Sequence, residues 1–273
     1  MTSNVRSPLD LGAYLSRIGF SGERAPALAL LKELHLAHRT RVTFENLDIF
    51  LGRPIRIDLE SLQAKIVHGK RGGYCYEQNT LFAAVLEQLG FQVTRLAARV
   101  RRGATRLLPR THMLLKVDVE GEPWLADVGF GGDGPLLSVP LQDEQVSIQY
   151  DWRYRVIQEG YLSVLQSSLD GNWTDLYTFT LEPQFDVDFE MANYYVSTNP
   201  SSRFVQTLTA QLATPEARYM LRNRELIVLR GNTENVRTIE QDEELLHVLA
   251  DTFHLEFPPG TQFRSPVAGS SPL

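Results

Sequence analysis

The one cysteine of this 273-residue chain, Cys75, stands where a run of glycines ends and a helical pattern begins. Backbone N–H groups at a helix N-terminus lack intrahelical partners and favour negative charge. A thiol at that point is therefore biased toward the thiolate, which is the nucleophilic form. A lone cysteine can equally be a small buried apolar side chain. Partner side chains have to decide between the two interpretations.

A nucleophilic thiol requires a base, and the base requires a group that orients it. His112 opens a predicted strand, and Asp127 closes the strand that follows it. If residues 120–121 form a two-residue turn, Val119 faces Glu122. The even spacing then places His112 and Asp127 on one face of the sheet. Diagonal neighbours of this kind have Cα atoms about 7–8 Å apart, a gap that a hydrogen bond between their side chains can bridge.

Each of these two residues also has an ordinary explanation. His112 can be a strand-end histidine bonded to a carbonyl group, and Asp127 can be a turn-forming aspartate before Gly129. Together with a cysteine at a helix start, the set favours thiol chemistry. In that interpretation Cys75 is the nucleophile, the imidazole is its base, and the carboxylate fixes the tautomer of the ring.

The elements that position these residues change type along the chain. Helical spacing up to residue 90 predicts four helices, the fourth running from Cys75 to Gly90. Pro26 is expected at the first position of the second helix, and Asp58 is expected to cap the third. From residue 91 the period becomes two, which predicts an antiparallel meander or barrel.

The last third of the chain is mixed. A short helix is expected over residues 189–196, and strands are expected from residue 203 to residue 239, the first of them spanning 203–212. Asp242 is expected to cap a final helix. The tail, 258–273, is rich in Pro, Gly and Ser and is predicted to be loose.

Composition argues against several classes of function. The net charge is −6 without a long basic run, which argues against a nucleic-acid partner. No segment approaches the roughly 20 apolar residues of a membrane helix, and the N-terminus lacks the apolar core of a signal peptide. One cysteine forms no internal disulfide, which is consistent with a reducing cytoplasm. No spacing of ligands predicts a metal site.

Six arginines form the one basic cluster of the sequence, between residues 95 and 110. The cluster is either a solvated strand edge or a site that attracts an anionic ligand. Its members are Arg95, Arg99, Arg101, Arg102, Arg106 and Arg110.

Several short blocks resemble the signature sequences of arylamine N-acetyltransferases, and they occur in the order of that family. The blocks are LHLAH at 34–38, FENL at 44–47, RGGYCYE at 71–77, THMLL at 111–115, ADVGFG at 126–131, FTLEP at 179–183 and NPSSRF at 199–204. Thr43 departs from the family pattern, which usually has proline there.

The resemblance implies an α+β fold in three parts: an N-terminal helical bundle, a central antiparallel β-barrel and a C-terminal α/β lid. The expected domains are 1–90, carrying the nucleophile, 91–200, carrying the histidine and the aspartate, and 201–273, the lid with its loose tail.

The resemblance also implies an activity. A Cys-His-Asp triad, here Cys75, His112 and Asp127, would pass an acetyl group from acetyl-CoA to arylamines, N-hydroxyarylamines or arylhydrazines. The mechanism would be ping-pong through an acetyl-cysteine, without a metal. The expected setting is xenobiotic metabolism in the cytoplasm, with no nucleic-acid or membrane partner. The oligomeric state is left open.

Binding and supporting residues follow from the same resemblance. The positions expected to bind substrate or CoA are Phe44, Val100, Thr111, Gly129, Phe130, Gly131 and Phe204. Core packing is the alternative for the apolar members other than Phe130, which is expected to contact the acceptor. Residues 129–134 also fit G-x-G-x-x-G, but Pro135 follows where a dinucleotide-binding fold requires a helix.

Four further residues have supporting roles in this interpretation. Arg71 is expected to pair with Glu45, with a free surface arginine as the alternative. His35 is interpreted, with its neighbour His38, as structural.

Rival functions share part of these features. An amide synthase of the same family, which closes a macrolactam on a polyketide thioester, has the same triad. A thiol protease or transglutaminase resembles the order of the triad but not the blocks from 129 to 204. A protein that binds CoA or an aromatic ligand without chemistry is the alternative from another class.

Overall fold

A computed structural model of the chain describes residues 9–264, in which α-helices combine with two antiparallel sheets. The helices are α1 (Leu11–Arg17), α2 (Leu28–Arg41), α3 (Leu47–Phe50), α4 (Leu59–Leu62), α5 (Cys75–Gln88), α6 (Asp186–Thr198), α7 (Arg203–Gln206) and α8 (Asp242–Phe253). A π-helical segment, Gln63–His68, continues α4. No helix within 9–264 is long and apolar enough to span a bilayer.

The strands form one sheet of eight and one of five. They are β1 (Phe44–Glu45), β2 (Gln92–Val100), β3 (His112–Val119), β4 (Glu122–Ala126), β5 (Val139–Pro140), β6 (Ser147–Gln149), β7 (Trp152–Glu159), β8 (Leu162–Ser168), β9 (Thr174–Phe179), β10 (Thr209–Ala213), β11 (Arg218–Arg222), β12 (Glu225–Arg230) and β13 (Thr233–Thr238). The orders are β5-β4-β3-β2-β9-β8-β7-β6 and β1-β10-β11-β12-β13. Since β5 also contacts β7, the larger sheet is a nearly closed barrel, and the predicted α+β class is confirmed.

The start of α5 is fixed by the loop before it. A Cβ atom on Gly72 would lie 1.9 Å from the carbonyl oxygen of Thr43, so only glycine fits there. The N–H of Tyr74 donates to the carboxylate of Glu77 at 3.0 Å, which satisfies a donor at the helix end. The helix consequently begins at Cys75, as the sequence predicts.

The hairpin of β3 and β4 has the predicted register. Val119 lies opposite Glu122, and residues 120–121 make the two-residue turn. On its other side β3 pairs with β2, where His112 lies opposite Ala98. The helix α5 packs against both β2 and β3, and at its first residue Sγ of Cys75 lies 3.9 Å from the carbonyl oxygen of Thr111, the residue before β3.

Four local predictions were wrong, and the first two concern a strand and a helix start. Residues 203–212 are not one strand: the hydroxyl of Ser202 accepts from the N–H of Phe204 at 3.3 Å and starts α7, and β10 follows at Thr209. The second helix begins at Leu28 and not at Pro26.

At the final helix, Gln241 is the N-cap, and Asp242 is the first helical residue. The carboxylate of Asp242 accepts from the side chain of Arg224 instead of from the helix backbone. A charged partner in the turn between β11 and β12 therefore takes up the carboxylate that the sequence suggests as a cap.

The first part of the tail is packed and not loose. Phe263 is buried, its ring contacts that of Phe257, and the N–H of Arg264 donates to the carbonyl of Phe50 at 2.9 Å. The remainder of the predicted loose tail, 265–273, and residues 1–8, which include the apolar-poor N-terminus, lie outside the described residues.

Candidate active site

Cys75 is the first residue of α5 and is buried. Its Sγ atom lies 3.9 Å from the carbonyl oxygen of Thr111. Gly129 closes the site behind it, because a Cβ atom there would lie 2.7 Å from both the Cα of Cys75 and the Nδ2 of Asn79. The thiol thus sits between a helix end, a strand start and a loop that must be glycine.

His112 connects the thiol to a carboxylate. Its Nε2 donates to the Oδ2 of Asp127 at 2.7 Å, and both side chains are buried. Burial alone would lower the pKa of His112, but the charge of Asp127 and hydrogen bonds to Asp127 and Cys75 raise it to about 10. Since Nε2 donates to the carboxylate, Nδ1 is the ring nitrogen available for a hydrogen bond with Cys75.

The carboxylate of Asp127 accepts four hydrogen bonds. Oδ2 accepts from His112 and from the hydroxyl of Tyr177 at 2.9 Å. Oδ1 accepts from the Nδ2 of Asn79 and from the N–H of Gly129, each at 2.9 Å. Burial would raise its pKa, but the charge of His112 and these hydrogen bonds lower it to about 2. Asp127 is therefore a fully bonded anion at neutral pH.

The main chain of Asp127 is held by His35 of α2. The N–H of Asp127 donates to Nε2 of His35 at 3.0 Å, and Nδ1 of His35 donates to the carbonyl of Leu136 at 2.9 Å. These two bonds require a neutral ring. Burial lowers the pKa of His35 to about 4, which keeps the ring neutral at physiological pH.

A buried ionic network supports the loop before Cys75. Arg71 donates to Glu45 through Nη2 at 2.7 Å and through Nε at 3.1 Å, the pairing expected from the sequence. Lys65 lies 2.7 Å from Glu77 and 2.8 Å from Asp48. Burial raises the pKa of Glu77 to about 7 even though Lys65 opposes the shift.

Arg39 of α2 holds the glycine-rich loop. Its guanidinium donates to the carbonyls of Val128 and Gly131, and it lies 3.5 Å from that of Gly134. Burial lowers the pKa of Arg39 to about 10, so the group remains a cation at neutral pH. No helix follows this loop, as expected from Pro135.

Aromatic rings lie on two sides of this loop. The ring of Phe130 is 5.0 Å from that of His112 and 4.9 Å from that of Tyr177. On the other side, Phe204 lies 5.9 Å from Phe44 and 5.4 Å from Tyr74, the residue before the cysteine.

The other predicted binding positions belong to the same region. Gly131 lies beside Phe44, since a Cβ atom there would be 3.5 Å from its ring. Val100 ends β2 opposite Tyr177 and is half-buried. Thr111 contributes its carbonyl near the thiol, and its hydroxyl lies 3.4 Å from the carbonyl of Pro109.

A separate groove contains none of the predicted site residues. It has a volume of about 1140 Å³ and lies between residues 49–58 and α6. Within residues 9–264, no group of three or more His, Cys, Asp and Glu side chains is arranged to hold a metal ion.

Sequence reasoning missed Asn79 and Tyr177. The position of Asn79, one helical turn after Cys75, offered a signal, because residues four apart share a helix face. Its side chain also donates to the carbonyl of Met113 at 2.7 Å and accepts from the N–H of Val128 at 3.1 Å. Nothing local marks Tyr177, which belongs to a distant strand of the barrel.

Comparison with known proteins agrees with this geometry. A family model described as N-acetyltransferase matches residues 27–261. A curated arylamine N-acetyltransferase of Mycolicibacterium smegmatis is 42% identical over 257 residues, which cover 91% of this chain and 92% of that protein.

Solved structures give the same result. The arylamine N-acetyltransferase of Nocardia farcinica is 44% identical, with a TM-score of 0.86, and the match covers 92% of this chain and 90% of that one. The Mycobacterium marinum arylamine N-acetyltransferase, solved in complex with CoA, is 36% identical with a TM-score of 0.85, covering 90% and 92%. The chain therefore belongs to the arylamine N-acetyltransferase family and is an acyltransferase.

Proposed function

We propose that this chain transfers the acetyl group of acetyl-CoA to the nitrogen of arylamines, N-hydroxyarylamines or arylhydrazines, with Cys75 carrying the acetyl group between two half-reactions. The observation that carries this proposal is the chain of hydrogen bonds from Asp127 through His112 to Cys75. The CoA complex of the Mycobacterium marinum relative supports CoA as the carrier of the donor.

In the first half-reaction the thiolate of Cys75 attacks the carbonyl carbon of the thioester. The imidazolium of His112 stabilises the thiolate before attack, which is consistent with the raised pKa of the ring. When the tetrahedral intermediate collapses, the bond from carbon to the CoA sulfur breaks. The departing CoA thiolate takes the proton from His112, which leaves a neutral ring beside an acetyl thioester.

In the second half-reaction the acceptor nitrogen attacks the acetyl carbon on Cys75. The neutral His112 removes a proton from the attacking nitrogen as a general base. The bond from carbon to Sγ then breaks, and the amide product leaves. The thiolate and the imidazolium are restored together, so the pair begins the next cycle as it began the first.

Negative charge on the carbonyl oxygen requires donors near Cys75. The first turn of α5 offers backbone N–H groups there, and a donor of this kind contributes about 3 kcal/mol at comparable sites. The N–H groups of Tyr74 and Gly129 are already bonded to Glu77 and Asp127. We therefore assign the oxyanion to the N–H groups at the start of α5 itself.

The acceptor ring would bind among aromatic side chains. Phe130 is next to the ring of His112, and the rings of Phe44 and Phe204 contact each other on the other side of the loop. Edge-to-face contacts with an arylamine ring would hold its amino group toward Cys75. The remaining residues proposed to contact acceptor or CoA are Val100, Thr111, Gly129 and Gly131.

Intact-mass measurement after brief incubation with acetyl-CoA tests the proposal. We expect one acetyl group per chain, removed by neutral hydroxylamine because it is a thioester. The chain has a single cysteine, so Cys75→Ala should carry no such adduct. Binding of CoA without a labile adduct on the wild type would favour a binding protein instead.

A further inference from the structure

The arginines of the basic cluster have different partners. Carboxylates neutralise three of them in the pairs Arg95–Glu87, Arg101–Asp175 and Arg110–Glu182. Arg102 instead reaches the glycine-rich loop, where its Nη1 lies 2.7 Å from Oδ1 of Asp133. The basic cluster is thus mostly a paired strand edge, with one member directed at the loop of the candidate active site.

Two arginines from the C-terminal part of the chain lie near Arg102. Arg203 is the first residue of α7, and Arg222 is the last residue of β11. Arg203 lies within electrostatic range of Arg222, Asp133 and Arg102. Asp133 thus lies near both Arg102 and Arg203, and Arg222 lies near Arg203, so positive charge exceeds negative charge among these four residues.

The hydrogen-bond donors of Arg102, Arg203 and Arg222 are not all paired within the protein. The buried Nε of Arg222 has no hydrogen-bond partner. Arg203 is exposed, so its guanidinium donors are open to a ligand. Partial burial and the charge of Arg222 lower the pKa of Arg203, which shows that the two like charges oppose each other. An arrangement of this kind is stabilised when an anion binds.

Two chain segments connect these three arginines to the candidate active site. Arg203 directly precedes Phe204, whose ring contacts that of Tyr74. Asp133 belongs to the loop that carries Phe130, whose ring contacts that of His112. A ligand that reaches Cys75 past these rings would have its distal portion near the three arginines.

We propose that Arg102, Arg203 and Arg222 bind a phosphate group of the CoA donor, with Asp133 holding Arg102 in place. The inference rests on the proposed function and names the residues that bind the acetyl donor away from its thioester. Guanidinium groups match phosphate oxygens in planar, paired hydrogen bonds, and CoA carries both a pyrophosphate and a 3′-phosphate. Arg203 and Arg222, which have free donors, would supply most of the contact.

Donor selectivity tests the proposal. We would compare acetyl-CoA with S-acetylpantetheine, which has the same thioester and no phosphate, in the variants Arg203→Gln and Arg222→Gln. Each variant should lower kcat/KM for acetyl-CoA by about tenfold, mainly through KM, since it removes a hydrogen bond to a charged group. The value for S-acetylpantetheine should be unchanged.

Two controls make the result specific. Arg153→Gln removes an exposed arginine of β7 and should leave kcat/KM unchanged for both donors. Arg203→Lys keeps the charge and should recover part of the loss. Acetyl-dephospho-CoA, which lacks the 3′-phosphate, shows which phosphate is bound. If the variants still lose kcat/KM with this donor, the arginines contact the pyrophosphate. If the loss disappears, they contact the 3′-phosphate.

The proposal is overturned if both donors lose activity equally in the arginine variants, or if neither does. The ratio between donors within one variant is insensitive to a loss of folded protein. Failure of the proposed function has a different signature, because then no donor would place an acetyl group on Cys75 of the wild type.

Discussion

The main-chain N–H of Asp127 donates to Nε2 of His35 across a distance of 3.0 Å. This bond places a residue of α2 behind the carboxylate that orients His112. It also requires His35 to be neutral, since a protonated ring would present a second N–H to the N–H of Asp127. A buried histidine outside the proposed triad thereby makes the site sensitive to acid.

Unfolding at two pH values tests this sensitivity. Unfolded His35 binds its proton near pH 6.5, but folded His35 binds it only near pH 4. The unfolded state therefore holds more protons in between, and stability falls as the pH drops from 6.5 toward 4. The shift corresponds to about 3 kcal/mol, since one pKa unit is about 1.4 kcal/mol.

The comparison uses His35→Gln, which keeps an acceptor for the N–H of Asp127 but does not titrate. Urea unfolding at pH 7 and pH 4.5 should show a smaller acid loss in the variant. His38 has a pKa lowered by burial as well, so part of the loss will remain. Equal losses in the two proteins would remove His35 from this explanation.

Alkylation of Cys75 by iodoacetamide tests the role of Asp127. In Asp127→Asn the imidazolium of His112 loses its counterion, and an unpaired thiol is mostly protonated at pH 7. We expect the rate at pH 7 to fall by about tenfold, after allowing for the higher intrinsic reactivity of a more basic thiolate. The two proteins should converge at high pH.

Asp118→Asn is a matched control, because Asp118 lies on the same hairpin and pairs with Lys116 away from the thiol. Its alkylation rate should follow that of the wild type at every pH. Superimposable pH profiles for Asp127→Asn and wild type would show that the carboxylate does not support the thiolate.

Local signals were sufficient to predict the elements that carry the proposed triad. Neighbouring residues determine the start of α5 and the turn at residues 120–121, and both predictions are confirmed. The contacts that hold the carboxylate were not predictable in the same way. Asn79, Tyr177 and His35 reach Asp127 from 48, 50 and 92 residues away, through packing that no local pattern encodes.

The wrong prediction for residues 203–212 has a similar physical origin. Apolar alternation there resembles a strand, but the cap at Ser202 and the ring contacts of Phe204 favour a short helix. The domain boundaries and the cytoplasmic location stay predictions. The paired arginines of the basic cluster could be anticipated as a strand edge, whereas the position of Arg102 depends on a loop 31 residues later in the chain.

Substitution of Gly129 tests how closely the loop approaches the thiol. In Gly129→Ala the new Cβ would lie 2.7 Å from the Cα of Cys75, and backbone there has little room to move. We expect a loss of about 1–3 kcal/mol in unfolding free energy and a large fall in acetylation of Cys75.

Gly12→Ala is the matched control, since its Cβ would meet only Asp10 at 3.5 Å within α1. That variant should be neutral or slightly more stable, because alanine favours helix. Acetylation of Gly129→Ala at the wild-type rate would contradict the close approach of the loop.

A double-mutant cycle tests the buried ionic network. Lys65→Met leaves the carboxylates of Glu77 and Asp48 without their shared cation and should cost about 3–5 kcal/mol. Glu77→Gln removes one of those charges but keeps an acceptor for the N–H of Tyr74. In the Lys65→Met background it should therefore restore part of the loss, as measured by urea unfolding. Equal effects of Glu77→Gln in both backgrounds would show that the two side chains are not coupled.

A chase of the isolated acetyl-enzyme tests the central claim most directly. The protein is acetylated with acetyl-CoA, freed of CoA and mixed rapidly with an aniline, and the acetyl group is followed on both molecules by mass. We predict that acetyl disappears from Cys75 at the rate at which one equivalent of acetanilide forms, and at least as fast as steady-state turnover. Acetyl that stays on Cys75 while the complete reaction proceeds at its usual rate would contradict the account.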